Sequence, residues 1–209
     1  MQLRKKRRGA ALTLIVLLGL IAMERCYQPR ELEIALKIGE PWEDMRQRSS
    51  AKISPAIAGQ YWGRQTKSDA RLRFMDDQYG FVTPEARFFT ITFERDGTVG
   101  NIRMSPQTEP LLLDDTLKIV LDLQEQWRNG GWRSMYPEED PPLADTPQWR
   151  AQLRDIKKNG GVTYWAAGDQ YRVLLAVGRF HDDRHPTQER YLITLELAKL
   201  WMDEPTAPD

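Results

Sequence analysis

The sequence has 209 residues, and its 30 Lys and Arg balance its 30 Asp and Glu, so that the formal net charge is zero. A mean hydropathy of −0.60 argues against several membrane spans. The single cysteine, Cys26, excludes an intramolecular disulfide. With the five bases at positions 4–8 set aside, 25 basic residues face 30 acidic ones. That acidic balance argues against a nucleic-acid partner.

A basic cluster followed by an uncharged apolar segment opens the chain. Five Arg and Lys at positions 4–8 precede residues 9–23, which carry no charge. Basic residues resist translocation, whereas apolar residues partition into a bilayer. We therefore expect a cytoplasmic segment at residues 1–8 and a transmembrane signal anchor at 9–25. The rest of the chain would then lie on the periplasmic side of a bacterial inner membrane.

The apolar segment leaves two alternatives to the anchor open. As a helix it would cover about 22 Å, which is short against a hydrocarbon core of about 30 Å. A cleaved signal peptide or a buried helix of a cytosolic protein would also fit this length. Lipidation of Cys26 is disfavoured, because the charged residues Glu24 and Arg25 precede it where small residues are expected. Cys26 is left as a free thiol or as half of an intermolecular disulfide.

The remaining chain divides into a spacer, one domain and a tail. Residues 26–52 predict a spacer, in which residues 41–50 form a polar loop. Residues 32–38 alternate as in a strand, with a short helix as the alternative. Residues 53–201 predict the exported domain, and residues 202–209 a flexible tail.

Strand signals occur on both sides of a helical middle. Aromatic and β-branched residues at 87–94, the turn pair Asp96-Gly97 and residues 99–104 predict a hairpin. The remaining strand candidates are residues 57–64, 71–75, 162–166, 171–177 and 190–197.

Two amphipathic helices lie between these strands. The first begins at Asp114 or Asp115 and ends before Gly130-Gly131. The second begins at Thr146-Pro147, continues to Lys158 and ends at the Asn159-Gly160-Gly161 segment. We expect Trp127 and Trp149 to face the core, because each lies on an apolar helix face. The order of the elements predicts an α+β fold, in which an N-terminal transmembrane signal-anchor helix precedes an antiparallel sheet of hairpins with two helices packed on it.

The motifs of several enzyme classes are missing from the sequence. It has no G-x-S-x-G nucleophile elbow, no phosphate-binding G-x-x-x-x-G-K-[ST] and no G-x-G-x-x-G after a strand. His181, Asp183 and His185 would share one side of an extended segment and could bind a divalent metal. Their spacing matches no standard zinc pattern, which favours a solvated turn. We therefore expect no enzymatic activity, no cofactor and no metal.

An aromatic and acidic segment after the first helix is the best candidate for a binding site. Aromatic residues dominate interface hot spots, and acidic residues attract a basic partner. The candidate partner-binding residues are Trp132, Arg133, Tyr136, Glu138, Glu139 and Asp140.

Two short segments carry a resemblance to a known family. With a basic start, a short anchor and a small exported α+β domain, residues 57–62 and 129–132 make the chain similar to bacterial immunity proteins that neutralise type VI secretion effectors. The resemblance implies a periplasmic protein that binds and blocks a toxin, and it carries over no site residue. Two alternatives stay open, namely a structural component of an envelope or secretion assembly and an envelope hydrolase with an unrecognised carboxylate or histidine site.

The predicted topology is testable with a reporter fusion. Alkaline phosphatase fused after Tyr27 should be active, because the enzyme folds only after export. An inactive fusion, alongside an active β-galactosidase fused at the same position, would contradict the exported topology.

Overall fold

The computed structural model describes residues 31–55, 68–158 and 160–200. The chain divides into two units between Glu31 and Leu32. The predicted anchor and Cys26, the strand candidate at 57–64 and the tail at 202–209 lie outside the described residues. Within the described ranges, no helix is both long and apolar enough to cross a membrane.

Three strands form a small sheet in the order β1-β2-β3. They are β1 (Glu33–Leu36), β2 (Ala70–Phe74) and β3 (Phe81–Ala86). β1 runs parallel to β2, whereas β2 and β3 are antiparallel. The side chain of Glu33 bridges the parallel pair, since it accepts hydrogen bonds from Arg71 at 3.0 Å and from Arg73 at 2.8 and 2.9 Å.

The free edge of β1 is covered by the segment assigned to the spacer. Helix α1 (Trp42–Arg48) occupies the predicted polar loop and buries Trp42 and Met45. The hydroxyls of Ser49 and Ser50 then accept hydrogen bonds from the backbone N–H groups of Ala35 and Glu33, at 3.0 and 2.8 Å. Residues 32–52 therefore belong to the compact unit that begins at Leu32.

Six strands form the larger sheet in the order β4-β5-β9-β8-β7-β6, with every neighbouring pair antiparallel. They are β4 (Phe88–Phe93), β5 (Val99–Ser105), β6 (Arg133–Ser134), β7 (Gly161–Ala167), β8 (Tyr171–Phe180) and β9 (Arg190–Lys199). The predicted hairpin of β4 with β5 is confirmed, and the strand candidates at 162–166 and 171–177 pair as a second hairpin, β7 with β8. The first of them turns at Gly97, whose φ of 82° favours glycine.

Two further helices pack on the sheets. Helix α2 (Leu113–Asn129) begins earlier than predicted, since its N-cap is Leu112 and the predicted caps, Asp114 and Asp115, lie in its first turn. Helix α3 (Pro147–Arg154) begins as predicted, and the side chain of Thr146 accepts a hydrogen bond from the backbone N–H of Trp149 at 3.2 Å. It ends earlier than the predicted Lys158, because the chain leaves the helical conformation at Asp155.

Glutamine side chains replace missing strand neighbours at two places. Gln126 of α2 donates to and accepts from the backbone of Val82, at 3.0 and 2.9 Å, and so covers the free edge of β3. Gln107 accepts a hydrogen bond from the N–H of Ile193 at 2.8 Å and donates to the carbonyl of Tyr191 at 3.0 Å. These bonds satisfy backbone groups where the sheets lack a neighbouring strand.

The predicted fold class is wrong. In place of one antiparallel sheet with two helices, the described residues form two sheets with nine strands, one parallel pair and three helices. The predicted N-terminal transmembrane helix lies outside those residues. The error arose because the strand pattern at 32–38 was assigned to a spacer and the polar residues of α1 to a loop. In addition, parallel pairing joins strands that no hairpin turn connects.

One hydrophobic core joins both sheets and α2. Trp127 of α2 is fully buried and contacts Phe81 of the small sheet and Trp165 of the large sheet, with ring centroids 5.7 Å apart in both pairs. The side chains of β7 and β8 that alternate with the core residues point to the opposite face of the large sheet, and most of them are half-buried.

Glu33→Gln should lower the free energy of unfolding at pH 7 by about 1–2 kcal/mol, because it breaks charge-assisted hydrogen bonds between β1 and β2. The hydrogen bonds from Arg73 lower the pKa of Glu33 below its ordinary value of 4.5, partial burial opposes this shift, and Arg71 adds to it. A lowered pKa in the folded state stabilises the fold above the unfolded pKa, and this contribution is lost as the pH falls.

Urea denaturation should therefore show a difference between the wild type and Glu33→Gln that is full at pH 7 and shrinks below pH 4.5. The control Glu125→Gln changes an exposed residue of α2 and should leave the stability unchanged at every pH. A difference that stayed constant down to pH 3 would mean that the Glu33 charge is not its source.

Candidate functional site

The chain turns back on itself directly after α2. Gly130 and Gly131 make this turn, with a φ of 85° at Gly131, and the N–H of Trp132 bonds to the carbonyl of Trp127 at 2.9 Å. Trp132 is only 3% exposed, and its indole N–H donates to the carbonyl of Tyr79 at 3.0 Å. Trp132, one of the candidate partner-binding residues, is therefore not a surface residue, because the turn directs its indole into the core.

The next residues form a strand of only two residues. Arg133 opens β6, pairs with Ala166 of β7 and is exposed. A further hydrogen bond runs from the N–H of Met135 to the carbonyl of Tyr164 at 2.9 Å. After Met135 the chain turns away from β7. The end of β7 near Gly161 is therefore bordered by a loop, and no described strand pairs with it on that side.

Tyr136 is the exposed aromatic residue of this site, with 46% of its surface accessible. Its ring meets that of Tyr164 edge to face, with centroids 5.6 Å apart and an interplanar angle of 80°. Such a pair is worth about 0.5–1.5 kcal/mol beyond its buried area. Tyr136 is thus held against the sheet while half of it stays available to a partner.

The acidic residues follow Tyr136 on a tight turn. The N–H of Asp140 bonds to the carbonyl of Tyr136 at 2.8 Å, and Glu138 and Glu139 are exposed. Among the described residues, none of the carboxylates of Glu138, Glu139 and Asp140 forms an ion pair or accepts a hydrogen bond. Their charge is therefore not compensated within this part of the protein.

Two grooves flank the acidic turn, and each has an aromatic side chain in its wall. The first groove, of about 550 Å³, is lined by Met135, Tyr136, Glu139, Asp140, Tyr164 and Arg172. The second, of about 480 Å³, lies on the other side of Glu139 and Asp140 and includes Trp149 and Val162 in its wall. Both grooves combine apolar or aromatic surface with carboxylates.

The first groove continues onto the outer face of the large sheet. Tyr164 lies opposite Leu174 in the register of β7 and β8, and Val162 lies opposite Ala176. All four side chains are half-buried and alternate with fully buried ones, which places them on the face away from the core. Tyr136 and the acidic turn thus border a surface of small and apolar side chains.

Sequence reasoning missed Tyr164, Trp149 and Arg172 as groove residues. The sequence could have indicated that Tyr164 lies on the outer face of the sheet. Tyr164 and Trp165 are consecutive strand residues, and only one of two consecutive side chains can face the core. Trp149 was assigned to the core but is only partly buried. Arg172 reaches the groove from β8, a relation that only the strand register reveals.

The three residues of the metal hypothesis are not brought together. His181 lies 3.2 Å from Asp183, whereas His185 bonds instead to Asp182 at 3.0 Å. No group of three or more His, Cys, Asp or Glu able to hold a metal was found in the described part of the chain.

Asp182 organises this turn, and it is only 5% exposed. Its carboxylate accepts hydrogen bonds from the backbone and the guanidinium of Arg184, at 3.1, 3.0 and 3.2 Å. The side chain of Arg184, followed by that of His185, lowers the pKa of Asp182. These contacts close the connection between β8 and β9, which is a structural role for the segment.

Stability measurements should separate the surface residue from the core residue. Trp132→Ala should cost about 3–5 kcal/mol, because it removes a buried indole from the core. Tyr136→Ala should cost about 1 kcal/mol or less, since it removes one edge-to-face contact at the surface. Thermal and urea unfolding of both variants would check this, and equal losses would make Tyr136 a structural residue.

Comparison with known proteins gives no relative from which a role could be transferred, since no family model, no curated protein and no solved structure matches this chain. The similarity to immunity proteins therefore stays a prediction from the sequence. The features of the chain that can indicate a function are the geometry of the Tyr136 surface and the charge around it.

Proposed function

We propose that this chain is an extracytoplasmic protein-binding module, and that its binding site is the surface formed by Tyr136, Tyr164 and the acidic turn of Glu138, Glu139 and Asp140. In this proposal it acts by holding a protein partner and not by catalysis. The role that best fits its sequence is that of an immunity protein, which binds a secreted antibacterial effector and blocks it.

The observation that supports binding is the combination of an exposed, fixed aromatic ring with uncompensated charge. Tyr136 is 46% exposed yet packs edge to face on Tyr164. Tyrosine is enriched in interface hot spots, where a rigid ring supplies contact area at a small cost in conformational entropy. Unpaired carboxylates beside such a ring increase the association rate with a basic surface.

The location in this proposal derives from the N-terminal sequence. Basic residues at positions 4–8 and uncharged residues at 9–23 favour retention at the inner membrane, with the compact unit on the periplasmic side. At that position the module would meet an effector that enters the periplasm. An effector that attacks lipid or cell wall would fit this location.

The proposal can be tested by recovery of the partner. The full chain with an affinity tag, expressed in its native host and purified from solubilised membranes, should carry a stoichiometric protein partner. Tyr136→Ala should weaken this complex by about 2 kcal/mol, which is roughly a thirtyfold loss of affinity. Glu125→Gln, an exposed change on α2, should not weaken it.

The immunity role adds a stricter requirement. Production of the recovered partner in the periplasm should stop growth of cells that lack this chain, and co-production of the chain should restore growth. Recovery of no stoichiometric partner would contradict the binding proposal. Recovery of a harmless partner would leave binding in place and reject the immunity role.

A further inference from the structure

We infer that the partner docks a segment rich in Arg or Lys onto the outer face of β7 and β8, with its basic side chains seated in the grooves beside the acidic turn. This inference depends on the proposed binding function and names the chemistry of the surface that the site recognises.

The centre of the docking surface is apolar. Leu174 and Ala176 of β8 and Val162 and Tyr164 of β7 lie side by side in the register, and each is half-buried. They alternate along their strands with residues of the core, and Val162 shares the wall of the second groove with Trp149 of α3. Interfaces commonly place such apolar groups at the centre and charged groups at the rim.

The rim of this surface is acidic. Residues 133–140 contain one Arg, Arg133, against Glu138, Glu139 and Asp140. The cation that β8 adds to the first groove, Arg172, lies 3.9 Å from Glu196 of β9. The charge of Arg172 is therefore partly compensated by the sheet, whereas the carboxylates of the turn have no described ion partner. Charge complementarity thus requires basic groups on the partner.

The aromatic side chains in the walls of the two grooves also favour a basic side chain of the partner. The groove with Tyr136 and Tyr164 and the groove with Trp149 are both bordered by Glu139 and Asp140. A guanidinium or ammonium group over an aromatic face gains about 0.5–1 kcal/mol at an exposed site. A basic side chain in either groove would meet a carboxylate and a ring together. An acidic side chain would be repelled by the carboxylates, and a neutral one would form neither an ion pair nor a cation–π contact.

A peptide of defined charge tests this inference on the full chain in an uncharged detergent. The probe is a fluorescently labelled acetyl-Leu-Arg-Leu-Arg-Leu-amide, and its matched control carries citrulline in place of both arginines. Citrulline keeps the length and planar shape of the arginine side chain and three of its five N–H donors, but a carbonyl replaces one nitrogen and the charge is removed. Fluorescence anisotropy should show saturable binding of the arginine peptide and binding of the citrulline peptide that is about fivefold weaker.

Variants of the chain identify the residues that cause the preference for the arginine peptide. The double variant Glu139→Gln, Asp140→Asn should bind the arginine peptide about as weakly as the wild type binds the citrulline peptide. The citrulline peptide should not distinguish the double variant from the wild type. Glu125→Gln should bind the arginine peptide like the wild type. Leu174→Ser should weaken both peptides, because it removes part of the apolar centre. Circular dichroism and thermal unfolding would confirm that each variant is folded.

Three results of the peptide experiment would overturn the inference. Absence of saturable binding, equal affinity for the two peptides, or an unaltered affinity in the folded double variant would each reject a basic ligand at this site. If partner recovery still depended on Tyr136, the binding function would stand and only its basic chemistry would fail. If partner recovery failed while the peptide bound as expected, the site would remain and the proposed function would be rejected.

Discussion

The contact of Trp127 with both sheets is the interaction on which the rest of the structure depends. Its indole meets Phe81 in the small sheet, Trp165 in the large sheet and Trp132 after the helix, at centroid distances of 5.7, 5.7 and 6.3 Å. A single helical residue therefore contacts both sheets within the core that they share. Because protein interiors are close-packed, a shift of this ring would be felt in both sheets at once.

The strand edges of the two sheets are covered to different extents. β3 and β4 are separated only by Arg87, so one continuous stretch of chain crosses from the small sheet to the large one. The small sheet has its β1 edge capped by Ser49 and Ser50 and its β3 edge by Gln126. In the large sheet, the two-residue β6 covers only one end of β7. The candidate site lies where this cover ends.

Local features of the fold were predictable from the sequence, whereas long-range pairing was not. The turn at Asp96-Gly97 and the cap at Thr146 depend on residues within a few positions, and both were found as expected. The parallel pairing of Glu33 with Arg71 joins residues far apart in sequence, and no local pattern indicates it. Tyr136 and the acidic residues were identified as a surface from composition alone. Trp132 was misplaced, because a turn of two glycines permits either direction and the core selects one.

The chemistry of the acidic turn also limits how a partner can approach it. An open strand edge commonly binds another strand, and proteins prevent this with charged residues and proline. The segment beside the uncovered part of β7 contains Pro137, Pro141 and Pro142 together with three carboxylates, and Pro141 lines the same groove as Val162. Addition of a partner strand at this edge is therefore obstructed. Side chains that enter the grooves from the outer face meet no such obstruction, which favours recognition through charge and aromatic contact over extension of the sheet.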